Sequence, residues 1–547
     1  LEDIITWGYM TDNNVVFNLN GTFQKTYVFR GADGSNMTEN DVNNYYVGLN
    51  NIFLRMKYNY YVFAEMHKQI SKDIVHSSFT DPLLNEFEQE REKNISKHQI
   101  YGNAFYLTIC YRWPSEALQR ASRMLDKSNK EVWKELKSAM KEFVRLFNPI
   151  QSDVNELLKD YAATAKHFGD MEAKFLDECE VITSGLKDYF VELEPCTQQE
   201  TLTYLHDCIS DHHVEVKADI RSLITQRLKD SHFMGGRFPK LGDKYVGIVG
   251  VKDFPSDTVD FMFDRLNSLS CEYRFVVRYI ALGKDQAVRE LKTITAQHEQ
   301  RQKSFITMVF EAIKGQESPK VDREAVRDAE DAKEALDLLQ AGEVGFGYLS
   351  FDIVLLNENQ KVLKEKLSEV RTIVNDLQFI AEIEKDNATA AWFSTIPPNF
   401  ENNVRRYLVN STNFCNIAPM GAYYDGQKKN KHFAELAETI HREGMTFIDD
   451  PLIQCSTPEH LPFYFNLHVG DVGHTLVVGP TGAGKSVLLN TISASFRKYP
   501  NCKVFVFDKS ASSRVLTKAI GGNFYNLLVD NSSISFQPLA HIDETTE

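Results

Sequence analysis

Eight consecutive residues, Gly479-Pro-Thr-Gly-Ala-Gly-Lys-Ser486, constrain this chain more than any other feature. They complete the pattern GxxxxGK[ST]. The β-branched run His474–Val478 precedes them, and an apolar run with Val487, Leu488, Leu489 and Ile492 follows. Strand, loop and helix in that order are the context in which the pattern cradles phosphate. Gly479, Gly482 and Gly484 let the backbone curl until its N–H groups converge on phosphate oxygens. A helix opening at the loop adds partial positive charge. The Lys485 ammonium reaches the β- and γ-phosphates, and the Ser486 hydroxyl suits Mg²⁺. The spacing thus predicts an ATP–Mg²⁺ site of Gly479, Pro480, Thr481, Gly482, Ala483, Gly484, Lys485 and Ser486. Lys485 is its catalytic group and Ser486 its metal ligand.

Lys503-Val-Phe-Val-Phe-Asp508 reads as a second buried strand ending in an acid. Asp508 either contacts Mg²⁺ or water, or caps the segment that follows. No other run of four apolar residues ending in Asp-Glu occurs before residue 547. The metal-binding acid, the water-activating Glu and any arginine finger are therefore expected outside this chain. Leu1 and the unclosed end His541–Glu547 read as the bounds of a portion of a longer protein.

A chain of 547 residues predicts roughly three to four domains. With 43 % apolar and 25 % charged residues it has the mix of a soluble globular protein. No apolar stretch approaches the ~18 residues of a membrane helix. The net charge of −15 disfavours general binding to nucleic acid or anionic lipid. From Asn399 onward there are 13 basic and 14 acidic residues, so the acidity lies almost wholly before the phosphate motif. The eight cysteines (Cys110, Cys179, Cys196, Cys208, Cys271, Cys415, Cys455 and Cys502) form no CxxC and no zinc-finger spacing. They read as free thiols in a reducing compartment, with Cys110 a core residue.

Along the chain, Asn20-Gly21 marks a hairpin within 15–30. Thr38 and Asp41 open a helix through about Met56, and Asn59–Met66 and Asn103–Trp113 read as strands. Asp81-Pro82 opens a charged helix whose surface reads as solvated. Apolar spacing predicts two or three long amphipathic helices over 115–190. A second α/β region spans about 231–418. Its strands are expected at Lys244–Val251, Tyr273–Ala281 and Gly345–Leu356, and its helices near 257–270, 284–313 and 323–341. Leu363, Leu367, Val370, Val374 and Leu377 form a core-facing helical stripe. No strict internal repeat is visible, although both α/β regions share a strand–helix–strand rhythm.

The residues around the motif, Asp471 to Ser486, resemble the CagE/TrbE/VirB family of conjugative-transfer and type IV secretion ATPases, most of all its TrbE-like members. Phe505–Lys509, Gly521–Tyr525 and Phe536–Asp543 continue the likeness, as do Arg30-Gly-Ala-Asp33, Asp253-Phe-Pro255, Tyr273-Arg274, Arg278 and the stretch Glu384–Asn413 with Trp392, Pro397 and Arg405-Arg406. The pair Arg405-Arg406 could also reach a neighbour's phosphate, or be salt-bridged. Ile396-Pro-Pro-Asn399 departs from the family's usual Leu-Pro-Gly.

The resemblance implies three parts. These are an N-terminal α/β domain (1–205) with a helical insertion, a central α/β domain (206–420), and the first part of a RecA-like P-loop domain (421–547). It implies an ATPase that energises assembly of, or substrate transfer through, a bacterial type IV secretion system. Such a protein would be a hexamer at the cytoplasmic face of the inner membrane, held there by inner-membrane components of the system. A nucleotide-gated assembly scaffold and a DNA-translocating hexameric motor are the alternatives. The acidic charge argues against direct nucleic-acid binding by this portion, and no LSGGQ-like sequence supports an ABC transporter.

Overall fold

Successive strand side chains point to opposite faces, and three strands use that alternation to separate apolar from charged residues. In Tyr60–Ile70, Tyr273–Ala281 and Phe346–Asn357, one face carries Val62, Ala64, Met66, Phe275, Val277, Tyr279, Phe351 and Ile353. The other carries Glu65, His67, Arg274, Arg278 and Asp352. All of these residues are buried, so the sheet is covered on both sides.

The computed structural model describes residues 5–71, 74–97, 99–112, 153–218, 223–255, 258–302, 334–403, 405–429, 435, 450–457, 459–468, 471–499 and 501–526. Packing gathers the chain into two units. One contains Leu1–Gln69 and Asn103–Tyr423, the other Ile70–Gly102 and Tyr424–Glu547.

The first unit is built on one 13-stranded antiparallel sheet. Its strands are β1 (Trp7–Met10), β2 (Val16–Asn18), β3 (Thr22–Arg30), β4 (Tyr60–Ile70), β5 (Tyr101–Arg112), β6 (Glu192–Pro195), β7 (Phe233–Met234), β8 (Lys240–Leu241), β9 (Lys244–Asp253), β10 (Tyr273–Ala281), β11 (Phe346–Asn357), β12 (Ile380–Ile383) and β13 (Tyr407–Asn410). The order holds an internal duplication. β5 lies between β3 and β4, and β6 adds to the outer edge of β3; likewise β11 lies between β9 and β10, and β12 adds to β9. Each half also opens with a small meander, β1-β2-β3 or β7-β8-β9, turning through a left-handed glycine, Gly21 or Gly242. Both halves follow the βαββαβ pattern. They join where β4 pairs with β10, from Tyr61↔Ile280 to Lys68↔Tyr273.

Helices Glu39–Phe53, Asp153–Lys187, Gln360–Asp376 and Ser411–Ile417 contribute to the main apolar core on one face. Helices Gln198–Ile209, Ile224–Leu228 and Ala388–Ser394 build a second core around Trp7 and Trp392. Capping boxes at Thr38/Asp41 and Thr197/Glu200 fix two of these helix starts, satisfying amides that the helix cannot. The stripe Leu363, Leu367, Val370 and Val374 is buried as its spacing predicts.

Several expectations change. The helix near 257–270 is a 3₁₀ turn, Met262–Ser268, entered through Phe261 at φ 52°. The Phe261 ring packs on Tyr45 and Tyr46, so tertiary contact, not helical spacing, sets the backbone there. Of the region 115–190, one helix, Asp153–Lys187, is described; 115–152 lies outside the described residues. The helix from Lys284 is described to Gln302 and that over 323–341 from residue 334. All eight cysteines are free, with Cys110 buried. Among the described residues no helix is long and apolar enough to cross a membrane.

In the second unit, strands β14 (Ile453–Ser456) and β15 (Pro462–Phe465) form a hairpin. Leu452 and Ile453 pack against Ile492, Tyr499 and Phe496 of the segment that follows the glycine motif. The helix Pro82–Lys97 belongs to this unit and is more than a solvated surface. Leu84 and Glu88 are buried, and Arg91 pairs with Glu88 Oε1 (2.5 Å) while donating to the Gln454 carbonyl (2.9 Å). Gln454 Oε1 also accepts from the Val75 amide at 2.8 Å.

Candidate nucleotide-binding loop

The loop Gly479–Ser486 runs into the helix Lys485–Phe496 as the pattern predicts. Gly482 and Gly484 both adopt φ 86°, and a Cβ at either would meet nothing within 4 Å. The space is open, so backbone conformation, not crowding, requires glycine at both places. Gly484 is the N-cap and supplies no side-chain bond. The first amides of the helix consequently have no intrahelical acceptor and no side-chain cap. Ala483 N–H donates to the Pro480 carbonyl (3.3 Å), closing the turn.

Lys485 is folded onto its own loop. Its Nζ donates to the carbonyls of Gly479 and Pro480, at 2.7 Å each. The ammonium is thereby held beside amides that lack internal partners, an arrangement whose chemical capacity is to receive an anion of high charge. Thr481, Ala483 and Ser486 are exposed. The residues present therefore fit a phosphate chain with its cation: the loop's amides and Lys485 would face the anion and the Ser486 hydroxyl the metal.

The flanking segments depart from expectation. Neither His474–Val478 nor Lys503–Asp508 joins a sheet ladder among the described residues, and all their apolar side chains but the half-buried Val477 are exposed, Leu476 at 86 % and Phe507 at 100 %. A strand needs a partner to satisfy its backbone, and none of the described strands lies beside them. Asp508 takes the capping role. It accepts from the amides of Ser510 (2.9 Å) and Ser513 (3.0 Å) and from the Ser512 hydroxyl (2.9 Å). These bonds, from the Ser510 and Ser513 amides above all, hold its carboxyl down at about 2. Asn490 ties the same segment to the loop's helix by donating to the Ser512 carbonyl at 3.0 Å.

Arg405 is salt-bridged to Glu384 (2.5 Å) and Glu382 (3.5 Å), and Arg406 donates to the Phe400 carbonyl. Of the buried charges that line the sheet's other face, the resemblance marks Arg274 and Arg278 but not their partners Glu65, His67 and Asp352. Arg274 donates to Glu65 Oε2 (2.8 Å) and the Thr395 carbonyl (3.2 Å), while His67 Nε2 (2.8 Å) and the Tyr204 hydroxyl (2.6 Å) donate to Glu65. Arg278 pairs with Asp352 and Ser394. Charged residues at alternate positions of otherwise apolar strands are the signal that could have found them.

A large antiparallel α/β unit, accompanied by a glycine loop that opens a helix, defines the class. Residues 14–118 match the family described as type IV secretion system ATPase VirB4/TrbE, N-terminal domain. Residues 186–320 and 311–405 match the CagE, TrbE, VirB family, component of type IV transporter system. The chain belongs to the CagE/TrbE/VirB family. It is 24 % identical over 556 residues to the conjugal transfer protein TrbE of Rhizobium radiobacter, covering 100 % of this chain and 63 % of that protein. The second portion of a probable conjugal transfer protein TrbE of Sinorhizobium fredii is 27 % identical over 352 residues, or 64 % of this chain and 51 % of its own length. The type IV secretion system protein virB4 of Bartonella quintana is 23 % identical over 417 residues, 73 % of this chain and 48 % of that one. The chain thus spans about half to three-fifths of the length of these relatives.

Proposed function

We propose that this chain is part of an ATPase that energises assembly of, or substrate transfer through, a bacterial type IV secretion system of the conjugation type. Gly479–Ser486 is its nucleotide loop. The observation that carries this reading is the pair of left-handed glycines opening an uncapped helix at Lys485. Backbone amides from Gly482 to Ser486 and the Lys485 ammonium bind the phosphates, and Ser486 ligates Mg²⁺. The metal supplies charge neutralisation of the phosphates when bound. Lys485 leaves the Gly479 and Pro480 carbonyls for the nucleotide.

Asp508 is engaged by the serine amides and hydroxyls, and on this reading it does not serve as the metal-binding acid. The chain of 547 residues therefore binds ATP–Mg²⁺ without turning it over. Calorimetry with wild type and Lys485→Ala tests the binding, and phosphate release tests turnover. Equal affinity in both proteins, or robust Lys485-dependent hydrolysis, would overturn the respective claim.

We further propose that the protein works as a hexamer on the cytoplasmic face of the inner membrane, held by inner-membrane components of such a system, with residues before about 420 as the docking region; the relatives' names support the secretion system alone. The acidity concentrated before Asn399 favours protein partners with basic segments over an anionic lipid surface. Cross-linking in native membranes should place those partners on residues before about 420. Cross-links confined to the second unit's loop region would reverse the assignment.

A further inference from the structure

Away from the nucleotide loop, the end of helix Gln198–Ile209 and the segments after it bring together three histidines and three aspartates within the first unit. His206, buried at 3 % exposure, directs Nε2 at Asp230 Oδ2, 2.6 Å away. His212 directs its own Nε2 at the same oxygen, at 3.2 Å. The other oxygen of Asp230 is already used, accepting from the Ser210 hydroxyl at 3.0 Å. One carboxylate oxygen is thus left facing two imidazole nitrogens. One ligand atom from each of His206, His212 and Asp230 lies within 4.8 Å of the other two.

The far nitrogens of both rings also face carboxylates. His212 Nδ1 lies 2.9 Å from Asp211 Oδ1, and His206 Nδ1 lies 3.6 Å from Asp207 Oδ1. Asp211 is itself fixed by the Ser231 hydroxyl (2.8 Å) and the Asp243 amide (3.1 Å). Asp207 also holds the neighbouring His213, at 2.8 Å. An imidazole whose one nitrogen is steered by a carboxylate while the other converges with further ligands is the usual form of a metal-binding histidine. The last turn of a helix, where His206 sits, favours added positive charge.

We propose that His206 Nε2, His212 Nε2 and Asp230 Oδ2 bind one divalent transition ion of the Zn²⁺ class. Asp211 and Asp207 act as positioning residues for the two rings. His212 is half-exposed, which leaves the fourth tetrahedral place open to water. For bonds of about 2.0–2.1 Å, tetrahedral ligands sit ~3.3 Å apart, so the carboxylate withdraws slightly from His206 as the ring nitrogens settle around the ion. Two imidazoles and one carboxylate suit Zn²⁺ and disfavour Mg²⁺, which prefers an oxygen shell. The site therefore does not compete for the nucleotide's cation. Bound metal would staple the end of helix Gln198–Ile209 to the segment containing Asp230.

The test uses the full chain, stripped with chelator, and titrated with Zn²⁺ or Mg²⁺ by calorimetry and with Co²⁺ by visible absorption. One equivalent of Zn²⁺ should bind, and Mg²⁺ should not. The Co²⁺ spectrum should be tetrahedral without a thiolate charge-transfer band. His212→Ala and Asp230→Asn, with unchanged circular dichroism, should each weaken Zn²⁺ binding at least about tenfold. Asp211→Asn should weaken it by ~10–100-fold, the usual effect of removing a carboxylate behind a ligating histidine. Hydrogen exchange should slow on Zn²⁺ addition in peptides covering the helix end and Asp230. No stoichiometric uptake, a thiolate band, or undiminished affinity in His212→Ala would overturn the proposal and leave a hydrogen-bonded His–Asp cluster.

Discussion

Replacing Arg274 by Met tests what holds β4 to β10. Arg274 lies across from His67 in that ladder and is 6 % exposed; Glu65 is fully buried. Burial alone pushes the Glu65 carboxyl up. Arg274 first, then His67 and Tyr204, outweigh it and hold the group down at about 2, against an ordinary 4.5. A tenfold change in proton affinity is worth about 1.4 kcal/mol, so the pH-linked part is roughly 3 kcal/mol. Its sign is that of a depressed acid: the stabilisation is present above about 4.5 and lost as pH falls toward about 2. Arg274→Met leaves a buried carboxylate without its cation, and breaking such a pair from one side costs ~3–5 kcal/mol. The Glu65 carboxyl should then move above its ordinary range and take up a proton. The variant should consequently lose stability relative to wild type as pH rises from about 5 to 7. Glu65→Met together with Arg274→Met removes both charges and should recover most of the loss. Denaturant unfolding across pH, with hydrogen exchange of β4 and β10 peptides to locate the transition, reads all three proteins. A loss below ~1 kcal/mol in Arg274→Met, the scale of a surface ion pair, or the same pH slope as wild type, would refute the reasoning.

Gly484→Ala forces an L residue into φ 86°, a strain of ~1–2 kcal/mol. The free loop, open on all sides, relaxes out of that conformation and must be restored on binding, so titration with a fluorescent ATP analogue should show affinity lower by roughly 5–30-fold, with little change in melting temperature. Lys498, 6 % exposed and donating to the carbonyls of Asp450 and Pro451, is pushed down to about 8 by burial. Between about 8 and its ordinary 10.5 the folded state binds fewer protons, so the second unit should gain stability as pH rises through that window. Lys498→Met should flatten that slope, as followed by thermal melts at pH 7 to 10.

The long strands of the first unit, the capping box at Thr38 and the stripe of Gln360–Asp376 were legible because each is a local pattern of periodicity or capping chemistry. The start of the helix Lys485–Phe496 was legible for the same reason, since glycine spacing and helix entry are both local. The duplication showed only as a shared strand–helix–strand rhythm, without a sequence repeat. What repeats is strand order and the placement of a left-handed glycine, while the intervening side chains differ, as in helix Glu39–Phe53 against the 3₁₀ turn Met262–Ser268. The strands expected at His474–Val478 and Lys503–Asp508 show the converse limit. β-branched runs mark a segment that wants a sheet, but the ladder depends on residues distant in sequence. The convergence of Glu65 with Arg274, or of His206 with Asp230, depends on pairing across long separations that no spacing rule encodes.

The assignment of residues 70–102 to the second unit governs how this protein can be taken apart. The chain passes between the units three times, at residues 69–70, 102–103 and 423–424. A single cut near Tyr424 would not separate them. The C-terminal piece would lose the helix that supplies Leu84, Glu88 and Arg91, and Gln454 would lose the Val75 amide and the Arg91 guanidinium. The N-terminal piece would keep that helix with nothing of its own unit to cover it. Deletion mapping by terminal truncation would then report insolubility where it was meant to report function. A separable nucleotide unit needs residues 70–102 fused, by a linker, ahead of Tyr424, with the vacated ends of β4 and β5 closed by a short turn.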